Sequence, residues 1–256
     1  MGRERRVEYE GAIYHVIQRG NNRNAIFEKD IDKHYLLKKL RTYKEKAGYM
    51  LFGYVIMNNH YHLILQTIDQ PLNKVMHLVN NSYSKYYNFV RKCSGHVFEG
   101  RYKAKLVQDE RYALTLLRYV HQNPVRAGLC TYVWQYHWSS DVHYRKNLDT
   151  FVDTDLILDS ISAKRAEAIK QYTRLIDNEG TKDWEIVNHG KSLDDILSET
   201  GVTPQDYELI KGGSRKRYLT PFKIAYTQKA MEYNYNLSKI AENINLSKSA
   251  LCRLMQ

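Results

Sequence analysis

Alternating apolar and polar positions predict four β-strands in the first half of the chain. Residues 12–20 alternate and lead into a loop rich in Gly and Asn. Residues 49–57 and 60–67 are apolar runs that meet at Asn58–Asn59, and Asn is common in tight turns because it tolerates positive φ. These two runs are therefore expected to form a hairpin, and residues 96–108 are predicted to be the fourth strand.

Helical periodicity predicts helices between and after these strands. Residues 30–48 begin with acidic residues and end at a glycine, and residues 71–93 open with a proline. A helix that begins at residue 110 is expected to stop before Pro124. The order β-α-β-β-α-β followed by a helix is the ferredoxin-like pattern. We therefore predict an α+β fold, with a ferredoxin-like (RRM-like) domain followed by a mostly α-helical region over residues 151–256.

Composition limits the class of protein. A chain of 256 residues can form one or two domains with apolar cores. It has no run of about 18 apolar residues that could span a membrane, and its N-terminus lacks the apolar segment of a secretory signal. Three widely spaced cysteines suit neither a disulfide framework nor a zinc knuckle. We therefore expect a cytoplasmic protein without a membrane partner.

The distribution of charge indicates a polyanionic partner. Residues 1–150 hold 24 Lys and Arg against 13 Asp and Glu, residues 151–210 hold 6 against 13, and residues 211–256 hold 9 against 2. Two basic blocks therefore flank an acidic one. Phosphate neutralisation by Lys and Arg drives the binding of nucleic acids, so contact with DNA at both blocks is one interpretation. A basic surface that only keeps the protein soluble is the other.

Two histidines in one predicted strand are the first candidates for chemistry. Residues i and i+2 of a strand point to the same side, so His60 and His62 share one face. Two nearby histidines in a strand are more often hydrogen-bonded than bound to a metal. A metal site would need a third ligand and a reacting group elsewhere in the chain.

The predicted helix over residues 110–124 offers both groups. Tyr119 and Asn123 are four residues apart and therefore lie on one helix face. An amide oxygen can bind a hard divalent cation, and a tyrosine one turn away could attack a phosphate that this cation polarises. Spacing alone is equally compatible with core packing of Tyr119.

Five segments, together with their order, resemble the HUH single-tyrosine transposases of insertion sequences, specifically the REP-associated tyrosine transposase branch. The segments cover roughly residues 10–140 and read YHVIQRGNNRNAIF, MNNHYHLIL, FEGRYKAKLV, LRYVHQNPVRAGL and WSS. The resemblance implies that His60 and His62 are metal ligands, that Asn123 completes the site and that Tyr119 is the nucleophile. Asn59 stands where the family usually has proline, which changes the hairpin but not the ligands.

The family resemblance also implies the reaction. A divalent ion, Mg²⁺ or Mn²⁺, would assist cleavage and rejoining of single-stranded DNA with hairpin-bearing ends, through a 5′-phosphotyrosyl intermediate. Related enzymes assemble their active sites within one chain or across a homodimer, and spacing is compatible with both.

Basic and polar residues near these motifs are candidate DNA contacts, although exposed charges are often only solvated. Three lie at or after the end of the first strand, and three are expected to form a ladder on one face of the fourth strand. One follows the predicted helix that carries Tyr119, and two lie near the C-terminus. They are Arg19, Asn21 and Arg23; Arg101, Lys103 and Lys105; Arg126; and Lys248 and Arg253.

The last part of the chain is predicted to be a helix-turn-helix. Asn245 lies in the turn and Ser247 caps a second helix. Residues 190–256 resemble the C-terminal DNA-binding domain of the bacterial replication initiator; an amphipathic helical subdomain packed on the core is the alternative. The predicted domains are thus a catalytic domain at 1–150, a helical connector at 151–189 and a helix-turn-helix domain at 190–256.

Three functions compete. The first is a metal-dependent transposase and single-stranded DNA endonuclease. The second is a domesticated protein that binds DNA or RNA hairpins without cutting them, since the RRM-like fold does not decide between catalysis and binding. The third is a replication or conjugation initiator with the same chemistry. The histidine pair with Tyr119 and Asn123 favours an enzyme, and the NPVRAG segment favours the transposase branch.

Overall fold

A computed structural model describes most of the chain as two compact units, residues 1–179 and residues 180–256. The described residues are 9–107, 110–178, 191–233, 235 and 237–255. The end of the predicted connector, residues 179–189, lies outside these ranges.

The first unit is built on one antiparallel sheet with the strand order β2-β3-β1-β4. Its strands are β1 (Ile13–Arg19), β2 (Tyr49–Ile56), β3 (His60–Thr67) and β4 (Lys103–Leu106). Its helices are α1 (Asp30–Ala47), α2 (Leu72–Arg91), α3 (Glu110–Arg126), α4 (Asp141–Arg145), α5 (Asp155–Ile161) and α6 (Arg165–Asp177), with 3₁₀ turns at Asn21–Arg23 and Val133–Gln135. This strand order confirms the predicted α+β, ferredoxin-like fold.

Helices α1 and α2 cover one face of the sheet. The Tyr61 hydroxyl on β3 donates to the side-chain oxygen of Asn80 on α2 (2.5 Å), and the Tyr49 hydroxyl on β2 donates to the carbonyl of Leu40 on α1 (2.6 Å). Val16 and Leu63 pair across β1 and β3 on the same face and are fully buried. This face is the core that the alternating pattern predicts.

Helix α3 covers the opposite face of the sheet. Leu116, Leu117 and Val120 are fully buried there. A Cβ atom at Gly53 would lie 2.6 Å from Cδ1 of Leu117, so a glycine on β2 is what lets the helix approach the strand this closely. The face that carries the two histidines is therefore partly covered by a helix.

Two predicted element boundaries are wrong. Strand β4 is much shorter than residues 96–108, and Gly100 just before it has a positive φ of 65°, which turns the backbone out of an extended path. Helix α3 does not stop before Pro124 but continues to Arg126. The predicted hairpin is confirmed and closes with a bond from the Met57 N–H to the His60 carbonyl (2.8 Å).

Helices α4 and α6 hold the outer side of α3 through a buried polar network. His121 on α3 is hydrogen-bonded to the hydroxyls of Ser140 (2.7 Å) and Tyr172 (2.8 Å), and Tyr172 donates to Asp141 (2.8 Å). Arg145 bridges Asp141 and a second carboxylate on α6, Asp177, at 2.6 Å each. Residues 151–178, predicted from the sequence to belong to a connector, thus pack within the first unit.

The described part of the second unit is helical. It contains α7 (Leu193–Ser198), α8 (Pro204–Lys211), α9 (Thr220–Glu232), α10 (Leu237–Asn243) and α11 (Lys248–Leu254). A core of fully buried side chains includes Ile196, Ile210, Tyr226, Ile240 and Leu251. The turn between α10 and α11 has Asn245 at a φ of 50°, and the Ser247 hydroxyl caps α11 by accepting the Ala250 N–H (3.1 Å). Among the described residues, no helix is long and apolar enough to cross a membrane.

Candidate active site

The two histidines at the start of β3 lie side by side beneath α3. Their ring centroids are 5.1 Å apart with the planes at 72°. His62 is buried, whereas His60 is half-buried at the end of the sheet. The register pairs His60 with Arg19 and His62 with Ile17 on β1, so all four side chains point to the α3 face.

Each of these imidazoles has one nitrogen engaged in a hydrogen bond. Nδ1 of His60 lies 2.6 Å from the side-chain oxygen of Asn59, an acceptor, so His60 carries its proton on Nδ1 and a lone pair on Nε2. Nδ1 of His62 lies 2.8 Å from Nε2 of His15. Asn59, which stands where the resembled transposase family usually has proline, therefore orients the imidazole of His60.

His15 belongs to this cluster and was missed by the sequence analysis. Its ring stacks on His62 at 5.1 Å and 16°, and its Nδ1 is buried without a hydrogen-bond partner among the described residues. The signal that could have revealed it is the parity of β1, because His15, Ile17 and Arg19 alternate onto one face.

Burial keeps the three imidazoles neutral at physiological pH. Desolvation and then the charge of Lys105 lower the pKa of His15 to about 3, and desolvation and then Arg19 lower the pKa of His60 to about 4. Burial also holds the pKa of His62 well below its ordinary value, aided by the neighbouring His15. Neutral imidazole is the form that binds metal ions.

Tyr119 on α3 lies directly against this cluster. Its ring centroid is 5.8 Å from that of His62 and 6.2 Å from that of His15, edge to face in both cases. The Arg126 guanidinium lies 5.3 Å from the same ring. Burial raises the pKa of the Tyr119 phenol, whereas Arg126 and then Arg19 lower it. The arginines therefore oppose the desolvation of a phenolate.

Asn123 lies one turn after Tyr119, and its side-chain nitrogen is used within the helix. Nδ2 donates to the carbonyls of Tyr119 (2.7 Å) and Val120 (3.3 Å). The Val120 carbonyl is the acceptor that Pro124 leaves without its usual N–H donor. The Asn123 side chain therefore supplies the donor that Pro124 lacks, which explains why α3 continues past the proline. The amide oxygen of Asn123 is left as the atom for any ligand role.

The donor set around the cluster fits a divalent cation. Among the described residues, no group of three His, Cys, Asp or Glu side chains could hold a metal ion. Any third protein ligand in that part of the chain would be of another type, and an amide oxygen is one that divalent cations accept. Two neutral imidazoles whose other nitrogens are hydrogen-bonded match the usual orientation of histidine ligands.

The candidate DNA-contact residues are divided among several places. Lys103 and Lys105 on β4 pair with Ile17 and His15, which puts them, exposed, on the same sheet face as the histidines. Arg101 precedes the strand, so the predicted three-residue ladder is reduced to two members. Asn21 and Arg23 form a 3₁₀ turn, and Asn59 donates to the Arg23 carbonyl (3.3 Å) beside the hairpin.

The two remaining candidates belong to the second unit. Lys248 and Arg253 are exposed on α11, the helix that Ser247 caps. Both cations are therefore available to a ligand of that unit.

An α+β fold that sets a tyrosine on a helix against one of two strand histidines, His62, is the arrangement predicted for a single-tyrosine transposase. Residues 8–123, a little less than half of the chain, match the family of IS200-like transposases. The matched region contains His60, His62, Tyr119 and Asn123. The match of this region favours a role in DNA transposition.

Two solved structures are similar to parts of the chain. A REP-associated tyrosine transposase bound to a REP hairpin is 15% identical, with 60% of this chain and 93% of that chain covered and a TM-score of 0.49. A candidate transposase from Deinococcus radiodurans R1 is 16% identical, with 48% and 95% covered and a TM-score of 0.33. No curated protein matches the chain.

The interplay of Asn123 and Pro124 can be tested through stability. Asn123→Ala leaves the Val120 carbonyl without a donor and should lower the free energy of unfolding by about 1 kcal/mol. In a Pro124→Ala background the restored N–H can occupy this carbonyl, so the same substitution should cost less. Urea unfolding of the two single variants and the double variant measures the difference. Equal costs in both backgrounds would show that the Asn123 side chain does not replace the proline N–H.

Proposed function

We propose that this protein is a metal-dependent transposase that cleaves and rejoins single-stranded DNA at hairpin-bearing ends through a 5′-phosphotyrosyl intermediate on Tyr119. The observation that carries this proposal is the contact of the Tyr119 ring with the imidazole of His62, 5.8 Å between centroids. The same ring also lies edge to face with His15, so two neutral imidazoles adjoin the proposed nucleophile.

The bonds exchanged in the proposed reaction are both phosphodiester-type bonds. The Tyr119 hydroxyl oxygen attacks a backbone phosphorus, a bond to the 5′-phosphate forms, the bond to the 3′-oxygen breaks, and the proton ends on the released 3′-hydroxyl. Because one phosphate ester bond replaces another, the bond energy is kept. A 3′-hydroxyl from another DNA end can therefore reverse the step and join new ends without ATP. Arg126 and Arg19 would offset charge on the phenolate and phosphate.

Three side chains would hold the cation. The Nε2 atoms of His60 and His62 and the amide oxygen of Asn123 would bind Mg²⁺ or Mn²⁺, which would supply Lewis-acid stabilisation of the phosphate oxygens. For His62 to offer Nε2, it must keep its proton on Nδ1 and donate it to Nε2 of His15. His15 thereby becomes a positioning residue for the ligand.

The DNA contacts are proposed for two separate surfaces. Arg19, Lys103 and Lys105 lie on the α3 side of the sheet and would hold the strand that is cut. The short helices α10 and α11 with Lys248 and Arg253 would act as a helix-turn-helix that grips duplex DNA, either the hairpin stem or flanking sequence. Assembly as a homodimer is compatible with this division.

The proposed nucleophile is tested by covalent trapping. With labelled single-stranded flanking DNA and Mg²⁺ or Mn²⁺, the protein should form an adduct that denaturing gels detect, because the phosphotyrosyl bond is covalent. Tyr119→Phe removes only the hydroxyl and should abolish the adduct while leaving DNA affinity unchanged.

Tyr112→Phe, on the same helix, is the matched control and should still form the adduct. A persistent adduct that maps to Tyr112 or Tyr102 would overturn the assignment. DNA-hairpin binding without any adduct from the wild-type chain would favour the domesticated binding protein instead.

The role of His15 is tested by metal affinity. In a Tyr119→Phe background, His15→Phe keeps a ring of similar size but removes the acceptor for His62. Mn²⁺ affinity, measured by calorimetry with single-stranded DNA present, should fall by roughly 10- to 100-fold, the usual effect of removing such a partner. His77→Phe, an exposed histidine on α2, is the control and should change nothing. Unchanged Mn²⁺ affinity in a folded His15 variant would remove its positioning role.

The proposed grip on duplex DNA is tested by salt dependence. Lys248→Ala with Arg253→Ala should weaken binding to a hairpin duplex. It should also reduce the slope of log K against log salt, by about 0.9 for each phosphate that the variant no longer neutralises. Lys170→Ala on α6 removes an exposed charge from the first unit and serves as the control. Identical slopes for wild type and the double variant would mean that these two cations do not touch DNA.

A further inference from the structure

Two aromatic rings are held outward on the loop that follows α3. Tyr132 and Trp134 are 56% and 57% exposed. Their ring centroids are 5.9 Å apart and the planes are inclined by only 9°, so the rings are stacked on each other in solvent. Single exposed apolar residues need no explanation, but a parallel aromatic pair offers its outer ring faces to a ligand.

The backbone beneath these rings is fixed by hydrogen bonds and packing of its own. Val133 between them is buried, at 2% exposure. The side-chain oxygen of Gln135 accepts the N–H groups of Thr131 and Tyr132, both at 3.0 Å. The Tyr136 hydroxyl donates to the Ile56 carbonyl at the end of β2 (2.8 Å). The rings are therefore presented by an ordered turn that needs little rearrangement to receive a ligand.

Both ends of the loop lie close to the candidate active site. The Ile56 N–H donates to the Trp138 carbonyl (2.9 Å), which places the loop beside the hairpin that leads into His60. At its other end the loop follows Arg126, whose guanidinium lies over the Tyr119 ring. Tyr132 comes six positions after Arg126 in the chain, a reach of at most about 20 Å. A few nucleotides would span this distance.

We propose that Tyr132 and Trp134 form a stacking platform for unpaired bases that flank the phosphate attacked by Tyr119. This inference rests on the proposed function, since it names the part of the substrate that this surface takes. Aromatic faces stack on every base, so such a platform binds single strands with little dependence on sequence.

The chemistry around the platform favours nucleic acid over a protein partner. Residues 126–140 contain no Asp or Glu, so nothing in this segment repels a phosphate backbone. The neighbouring Thr131, Gln135 and His137 are exposed and polar. Tyr and Trp each carry a polar donor at the ring edge, which suits a surface that is wet when unoccupied.

The test compares aromatic and aliphatic side chains at these two positions. In a Tyr119→Phe background, the pair Tyr132→Leu and Trp134→Leu should weaken binding to a dT20 single strand by about tenfold, the order expected for removing a base stack. The slope of log K against log salt should stay the same, because no charge is removed. An oligonucleotide with 2-aminopurine near the cleavage site should lose its stacking-dependent quenching.

Two further variants serve as controls. Tyr132→Phe with Trp134→Phe keeps two aromatic faces and should retain both affinity and quenching. Phe89→Leu replaces an aromatic residue that is 85% exposed on α2 and should have no effect.

Equal affinity and equal quenching for the leucine pair would overturn the platform. Conversion of a dimer to a monomer by the leucine pair in sedimentation, with DNA affinity unchanged, would also overturn it and assign the rings to a contact between two copies. In either case, covalent adducts formed by the chain with Tyr119 intact would leave the proposed function standing. Absence of both adducts and single-strand binding in that chain would instead remove the proposed function.

Discussion

The close packing of α3 on the sheet is the contact on which the candidate site depends. A helix that carries Tyr119 and Asn123 can meet the histidine face only if the strand beneath it leaves room, and Gly53 provides that room against Leu117. The same packing buries His15 and His62, keeps their imidazoles neutral by lowering their pKa values, and desolvates the Tyr119 phenol. The packing of the helix, the protonation state of the histidines and the raised pKa of the Tyr119 phenol thus depend on one interface.

Much of the first unit follows from local pattern. Alternation and turn residues predict the hairpin of β2 and β3, and parity along β3 puts His60 and His62 on one face. The pairing of β1 with β3 is set by contacts between residues about 50 positions apart, and local periodicity carries no record of such contacts. Parity places His15 on one face of β1, but only the pairing of β1 with β3 brings it onto His62.

The two wrong boundaries have similar causes. Pro124 is unfavourable for a helix when only the backbone is considered, but the Asn123 side chain supplies the missing donor, and this compensation is visible only with coordinates. The short length of β4 follows from the positive φ at Gly100, whereas alternation around it continues on both sides. Placement of the site residues on their elements could be predicted; their mutual contacts could not.

The polar network on the outer side of α3 sets the smallest fragment that can keep the site. On α6, Tyr172 is hydrogen-bonded to His121 and Asp141, and Asp177 forms an ion pair with Arg145. These contacts lie at or near the back of the helix that carries Tyr119. A fragment cut at residue 150 would retain every candidate ligand and the tyrosine, yet would strip a hydrogen-bond partner from a buried imidazole and a buried carboxylate. A fragment that keeps the candidate site folded therefore has to extend through α6.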